Sequence, residues 1–150
     1  CKMYCGEKNQ MYSALSEELA RMYNAAGRRE ESLACHLAVR NQLLKNGYRE
    51  GSLLLMVDNN MSVVYLDLGR PEEAIPYLTE ALELTKENGL VGSAVAEPTW
   101  NLARVYRALG DEEKADIYLK AAVEGFRECY PPEHPKRIAA EQRLKERQRE

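Results

Sequence analysis

Apolar residues fall along this chain in short helical bursts, each ending on a glycine. Leu19, Met22 and Tyr23 form the first burst; Met61, Val64 and Tyr65 the second; Leu102, Val105 and Tyr106 the third. Within each burst the spacing is that of one face of an α-helix. A glycine follows four residues after each of these three tyrosines, at Gly27, Gly69 and Gly110, so that the glycines stand 42 and 41 residues apart. A second set, Gly6, Gly47 and Gly89, keeps the same beat at 41 and 42. Two independent markers with one period predict a repeat architecture in which each unit is a helix, a tight turn and a second helix.

The second helices announce themselves by acidic pairs after the turn, Glu30-Glu31, Glu72-Glu73 and Glu112-Glu113. Carboxylates in a first turn meet the positive end of the helix dipole. Pro71 suits a first turn because its missing N–H has no helical partner there. Small residues mark where paired helices approach closely: Ala20, Ser62 and Ala103 on the first helices, Ser32, Ala74 and Ala115 on the second. Leu78, Leu82, Leu119 and Val123 fill the space between them. One such hairpin cannot bury its own apolar face, so the units must stack. Pro76 falls inside the predicted second helix of the middle unit, where a proline costs about 3 kcal/mol and kinks the helix.

This reading divides one array into repeats at 12–47, 50–89 and 92–130. Residues 1–10 read as the tail of a preceding helix or an N-terminal extension, and 134–150 as a capping helix. Gly6 lies on the linker beat and the chain opens at Cys1 without Met, so the sequence reads as a piece of a longer protein. Lys145 takes the place that holds Ala or Ser in the other first helices, and a charge there cannot be buried against a further helix. The last helix therefore reads as a cap with a solvated outer face. Its six basic and three acidic residues over 136–150 belong to that face rather than to a phosphate site.

Composition narrows the function. The net charge of −3 argues against a nucleic-acid binder, which needs a concentrated basic face. No stretch is long and apolar enough to span a membrane. Cys1 and Cys5 lie one helical turn apart while Cys35 and Cys129 stand alone, a pattern of free thiols in a reducing cytoplasm rather than disulfides or a metal site. His36 and His134 fall in different units with no nucleophile arranged beside them, so no catalytic site is expected and no cofactor or metal. His36 reads as a packing residue on a second helix, and most of the nine tyrosines as packing between helices.

The residues Leu19/Met61/Leu102, Ala20/Ser62/Ala103, Tyr23/Tyr65/Tyr106 and the turn glycines resemble the tetratricopeptide repeat (TPR) family, and W-N-L-A-R-V-Y-R-A-L-G-D matches it best. The period exceeds the common TPR length of 34 residues. It resembles the longer subclass that includes kinesin light chain and Pins-type polarity adaptors, as do Pro76 in E-E-A-I-P-Y-L, Asn60 and Asn101, and P-P-E-H-P-K-R-I-A. The resemblance implies an all-α, right-handed superhelix of antiparallel helix pairs: about three repeats and a C-terminal cap. It also implies a non-catalytic scaffold that holds a peptide or protein segment in a concave channel lined by the first helices.

Carried over by position, that channel presents Glu17, Arg21 and Asn24 from the first unit, and Asn59, Asn60, Val63 and Leu66 from the second. The third presents Trp100, Asn101, Arg104 and Arg107, and the cap adds Gln142 and Arg143. Asparagine is a mediocre helix former, and its amide both donates and accepts, which suits the backbone of a bound peptide. Arg104 and Arg107 lie one turn apart, placed to clamp a carboxylate or phosphate. Trp100 divides between core and channel floor. Glu17 and Glu18 replace part of the Lys/Asn set by which some chaperone-binding TPRs grip a C-terminal carboxylate, which argues against that mode. The alternatives are a structural module that self-associates through its open N-terminal end, and a peptide-sensing regulatory domain.

Overall fold

The spacing of tyrosine and glycine has a backbone cause. In the second unit the N–H of Gly69 bonds the carbonyl of Leu66 at 3.1 Å and that of Arg70 bonds the carbonyl of Tyr65 at 2.9 Å. This pair of bonds closes a helix only if the residue after its C-cap is left-handed, and Gly69 has φ +71°. The same pair recurs with Arg28 on Tyr23 and Asp111 on Tyr106. The tyrosine thus supplies one of the two capped carbonyls, and its ring stays at the turn. Arg28 lies over Tyr23, Arg70 over Tyr65 and Lys114 over Tyr106, at 4.6, 5.4 and 5.1 Å.

The computed structural model describes residues 15–47 and 52–149; the expectations for residues 1–10, Cys1 and Cys5 lie outside them. The described chain is all-helical. Helix α1 covers 15–25, followed by α2 (Arg29–Lys45), α3 (Ser52–Asp67), α4 (Ile75–Glu87), α5 (Ser93–Ala108), α6 (Glu112–Cys129) and α7 (Pro135–Arg147). From α2 onward each helix packs on its sequence neighbours, and α3 also packs on α5. Hairpins stacked in this way form an α-solenoid.

The small residues expected at close approaches are all buried: Ala20, Ser32, Ser62, Ala74, Ala103 and Ala115. Ser32 Oγ donates to the Ala20 carbonyl at 2.6 Å, tying α2 to α1. Leu78, Leu119 and Val123 are buried between helices as expected, and Leu82 is partly so. Stacked tyrosines join the two helices of a hairpin, Tyr65 with Tyr77 and Tyr106 with Tyr118. An aromatic series continues from Trp100 through Phe126 and Tyr130 to His134, which caps the start of α7.

Two prolines depart from the sequence reading. Pro76 is not in a helix interior: a 3-10 turn, Pro71–Ala74, precedes it, and α4 begins at Ile75. Its missing N–H therefore falls in a first turn, where no bond is lost. The interior proline is Pro98, buried within α5, which the sequence reading overlooked.

Candidate functional site

Helices α1, α3 and α5 lie side by side and are joined by amide side chains. Asn101 Nδ2 donates to Asn59 Oδ1 at 2.7 Å. One repeat earlier, Asn60 Nδ2 donates to Glu17 Oε2 at 3.2 Å. Asn24 Nδ2 reaches Asp67 Oδ2 at 3.2 Å across the same pair of helices. The asparagines expected to meet a ligand backbone thus bond across the repeats, and Asn101 is only 4% exposed.

Glu17, expected on the ligand face, is turned inward and 1% exposed. His36 Nδ1 lies 2.7 Å from its Oε1, and Asn60 reaches its other oxygen. With a donor for each oxygen and a position against α2, the carboxylate stays in the interior. Arg21 is exposed and pairs with Glu18 on its own helix. Val63 and Leu66 are half-buried, and Gln142 is exposed.

Two pockets open along this series of helices. One, of about 320 Å³, lies between α3 and α5 and is lined by Asn59 and Asn60 among the expected residues, together with Met56, Leu90, Glu97 and Pro98. Pro98 has no N–H for the carbonyl of Ala94, which also lines the pocket, so that oxygen loses its ordinary helical donor. Glu97 closes one side: its Oε1 accepts from Tyr130 OH at 2.7 Å and pairs with Lys136 at 2.6 Å. Burial first, and then the bond to Glu97, push the Tyr130 phenol up to about 12. Glu97 was not singled out from sequence. Its place one turn before Asn101 on the same helix was the available signal.

The other pocket, about 220 Å³, brings together four of the expected residues, Trp100, Arg104, Arg107 and Arg143. Ala103, Ala115 and Leu119 give it an apolar wall, and Glu112 and Asp116 stand at its side. Those two carboxylates are already met by Arg147, at 3.2 and 2.8 Å. The bond from Arg147 holds the Asp116 carboxyl below its usual range. Arg104 donates to the amide oxygen of Asn101, at 3.1 Å. Among the described residues neither Arg104 nor Arg107 has a carboxylate partner, while Arg143 pairs with Glu146. The pocket offers an apolar recess beside two guanidinium groups that form no ion pair among the described residues.

Other expected chemistry is spent inside the fold. Lys136, Arg137, Arg143 and Arg147 of α7 all form ion pairs, so that most of the basic side chains of this helix are paired within the chain. Cys35 and Cys129 are free thiols, partly rather than fully buried. Among the described residues no group of acidic, histidine and cysteine side chains is arranged to hold a metal. No described helix is long and apolar enough to cross a membrane.

The tetratricopeptide repeat model matches residues 10–87 and 53–128, which together span most of the chain. Among solved structures, BtubC (BKLC) from P. vanneervenii superposes with a TM-score of 0.76 at 19% identity, over 92% of this chain and 63% of that one. A putative kinesin light chain from Podosopora anserina with nearly identical TPR-like repeats gives 0.77 at 24% identity, over 87% of this chain and 63% of that one. A second structure of that protein, carrying one substitution, gives the same score and identity over 87% and 62%. The chain therefore spans less than two thirds of each of these structures, and at such identities the likeness shows the fold. No curated protein matches.

Proposed function

We propose that this chain, which belongs to the tetratricopeptide repeat family, is a non-catalytic scaffold that holds a carboxylate-bearing segment of a partner protein against α5 and α7. The observation that carries this reading is the pair Arg104 and Arg107 beside Trp100, on a pocket whose own two acids both pair with Arg147. A guanidinium presents a planar fork of donors that matches a carboxylate, and such bonds gain strength where water is partly excluded. Trp100 and Leu119 supply the apolar contact that large anchor residues use at interfaces. The pocket at Asn59, where the Ala94 carbonyl lacks its helical donor, offers an acceptor to the backbone of the same segment. Arg104, Arg107, Trp100 and Arg143 form the contact set; Glu17 and Asn101 hold the repeats in register.

Selection from a displayed random-peptide library tests the reading, comparing the chain with an Arg104→Glu/Arg107→Glu variant of matched helicity. Peptides enriched in Asp or Glu that the variant no longer retains support it. Peptides without acidic enrichment, or held equally by both, overturn it.

A second reading has its own observation. Leu15, Leu19 and Met22 form a stripe on α1 and remain 66, 44 and 62% exposed. An apolar stripe at helical spacing suits self-association through that end of the array. Sedimentation over a range of concentrations, beside Leu19→Glu, distinguishes it: a size that rises with concentration only in the parent chain supports association.

A further inference from the structure

The pocket between α3 and α5 differs in chemistry from the one at Trp100. Its volume is about 320 Å³, and Leu55, Met56, Leu90 and Pro98 give it apolar walls. Met56 is 38% exposed, so the recess is open to solvent on the α3 side. Among the described residues no cationic side chain lines it, whereas three arginines line the pocket at Trp100.

The main polar groups of this recess present lone pairs. Asn60 Nδ2 donates to the buried Glu17 carboxylate at 3.2 Å, which fixes the amide's orientation because a carboxylate only accepts. Asn60 Oδ1 is thereby left as an acceptor. Pro98 deprives the Ala94 carbonyl of its ordinary helical donor. The N–H groups of Val95 and Ala96, at the start of α5, are both taken by the Gly92 carbonyl, at 3.1 and 3.0 Å. Glu97 divides its two oxygens. Its Oε1 accepts from Tyr130 and pairs with Lys136, neither of which lines the recess. Its Oε2 faces α3, where Asn59 Nδ2 reaches it from 3.5 Å, the outer limit of a hydrogen bond.

We propose that this recess binds the side chain of a lysine in a partner segment. Three acceptors of separate origin, one of them a carboxylate oxygen, suit an ammonium group with its three donors. The four-carbon stem suits the apolar walls, since lysine buries its stem while its head meets polar groups. A guanidinium fork matches the two oxygens of one carboxylate, not single oxygens on a backbone, an amide and an acid. The Ala94 carbonyl has two lone pairs, so it can meet the ammonium and a backbone N–H of the same segment. The site stands apart from Arg104 and Arg107 and holds whether or not these bind a carboxylate.

Nuclear magnetic resonance titration of the full chain tests the site, read at the side-chain amides of Asn59 and Asn60. The probes are the peptide Ac-Ala-Ala-Lys-Ala-Ala-NH2, the same peptide acetylated on the lysine amine, and n-butylammonium chloride. The lysine peptide is expected to shift both amides saturably, about tenfold more tightly than its acetylated form and more tightly than the free amine. Glu97→Gln keeps the shape, removes the charge and should weaken the lysine peptide about tenfold. No saturable shift, equal affinity for the acetylated peptide, or an affinity unchanged by Glu97→Gln overturns the proposal. Equal affinity for butylammonium overturns the assignment to a protein segment. Should Glu97→Gln loosen α7, Pro98→Ala decides with Glu97 intact: with a donor restored to Ala94, the lysine peptide should bind several-fold more weakly, and unchanged binding sinks the site. Arg104→Glu/Arg107→Glu is expected not to weaken the titration; a loss there would move the lysine to the other pocket and overturn the proposal.

Discussion

Asn101 on α5 donates its side-chain amide to Asn59 on α3 at 2.7 Å, and Asn60 makes the equivalent bond to Glu17 one repeat earlier. The two bonds occupy the same place in successive repeats and link helices that no turn connects. A hydrogen bond between neighbouring solenoid units fixes their register more than it adds gross stability, because nearest-neighbour contacts carry the array. Asn101→Ala leaves the oxygen of Asn59 without its donor and is expected to cost about 1–3 kcal/mol. A double-mutant cycle with Asn59→Ala, read by urea denaturation, should give a coupling of about 1 kcal/mol. Strict additivity would show that the bond does not couple the repeats.

Gly125 lets α6 approach α5 closely. A Cβ built there would stand 2.9 Å from the Cβ of Ala96, which is itself buried. Gly125→Ala gains about 1 kcal/mol of helix propensity but forces two packed helices apart, at a cost of about 1–3 kcal/mol. The net expectation is destabilisation. Ala96→Gly added to Gly125→Ala should recover part of it, measured as the shift in melting temperature.

The two prolines should respond differently to alanine. Pro76 lies in a first turn after a 3-10 turn, so Pro76→Ala is expected to be nearly neutral. Pro98→Ala restores a donor for the Ala94 carbonyl and removes a ring buried at the pocket wall. It should alter the pocket as well as stability. Chemical shifts at Asn59 and Glu97 will show whether the change reaches them.

Arg147 ties α7 to α6 through Asp116 and Glu112. Replacing it by Met should let the Asp116 carboxyl return upward toward its usual range, since the bond from Arg147 is the first cause of its lowering. Amides at the end of α7 should exchange faster. An unchanged Asp116 titration would mean that the ion pair is not formed in solution.

Trp100 is the single tryptophan and lines the pocket with Arg104 and Arg107. Its fluorescence is therefore a direct probe of occupancy. An acidic peptide selected on the chain should shift the emission maximum, and Arg107→Ser should weaken that titration several-fold as one charge-assisted bond is lost. Emission that does not respond to a bound peptide would place the contact elsewhere.

Much of the architecture was legible because it is written in local chemistry. Tyr-x-x-x-Gly marks a helix end since Tyr65, Gly69 and Arg70 close it within six residues. Ala20, Ser62 and Ala103 mark contacts since only a small side chain lets two backbones approach. A repeat also multiplies each signal, so that the period and the hairpins follow from sequence by itself. The grouping of Trp100, Arg104, Arg107 and Arg143 was partly legible too, because the first three share one helix face.

What the tertiary structure decided is the pairing of polar groups between helices. Asparagine spacing places Asn59, Asn60 and Asn101 on first helices, yet the choice between a ligand and a neighbouring repeat depends on distances between units 42 or 43 residues apart. Glu17 reads as a surface acid because its identity carries no trace of His36 on the facing helix. Among the described residues Arg104 and Arg107 pair with no carboxylate, while Glu112 and Asp116 are both met by Arg147 from far along the chain. Helical periodicity is a property of one segment, whereas the fate of a charge is set by every segment packed around it. The sequence by itself therefore determined the solenoid and its period, and the packing of α1 to α7 decided which polar groups are spent holding it together and which are left at the surface.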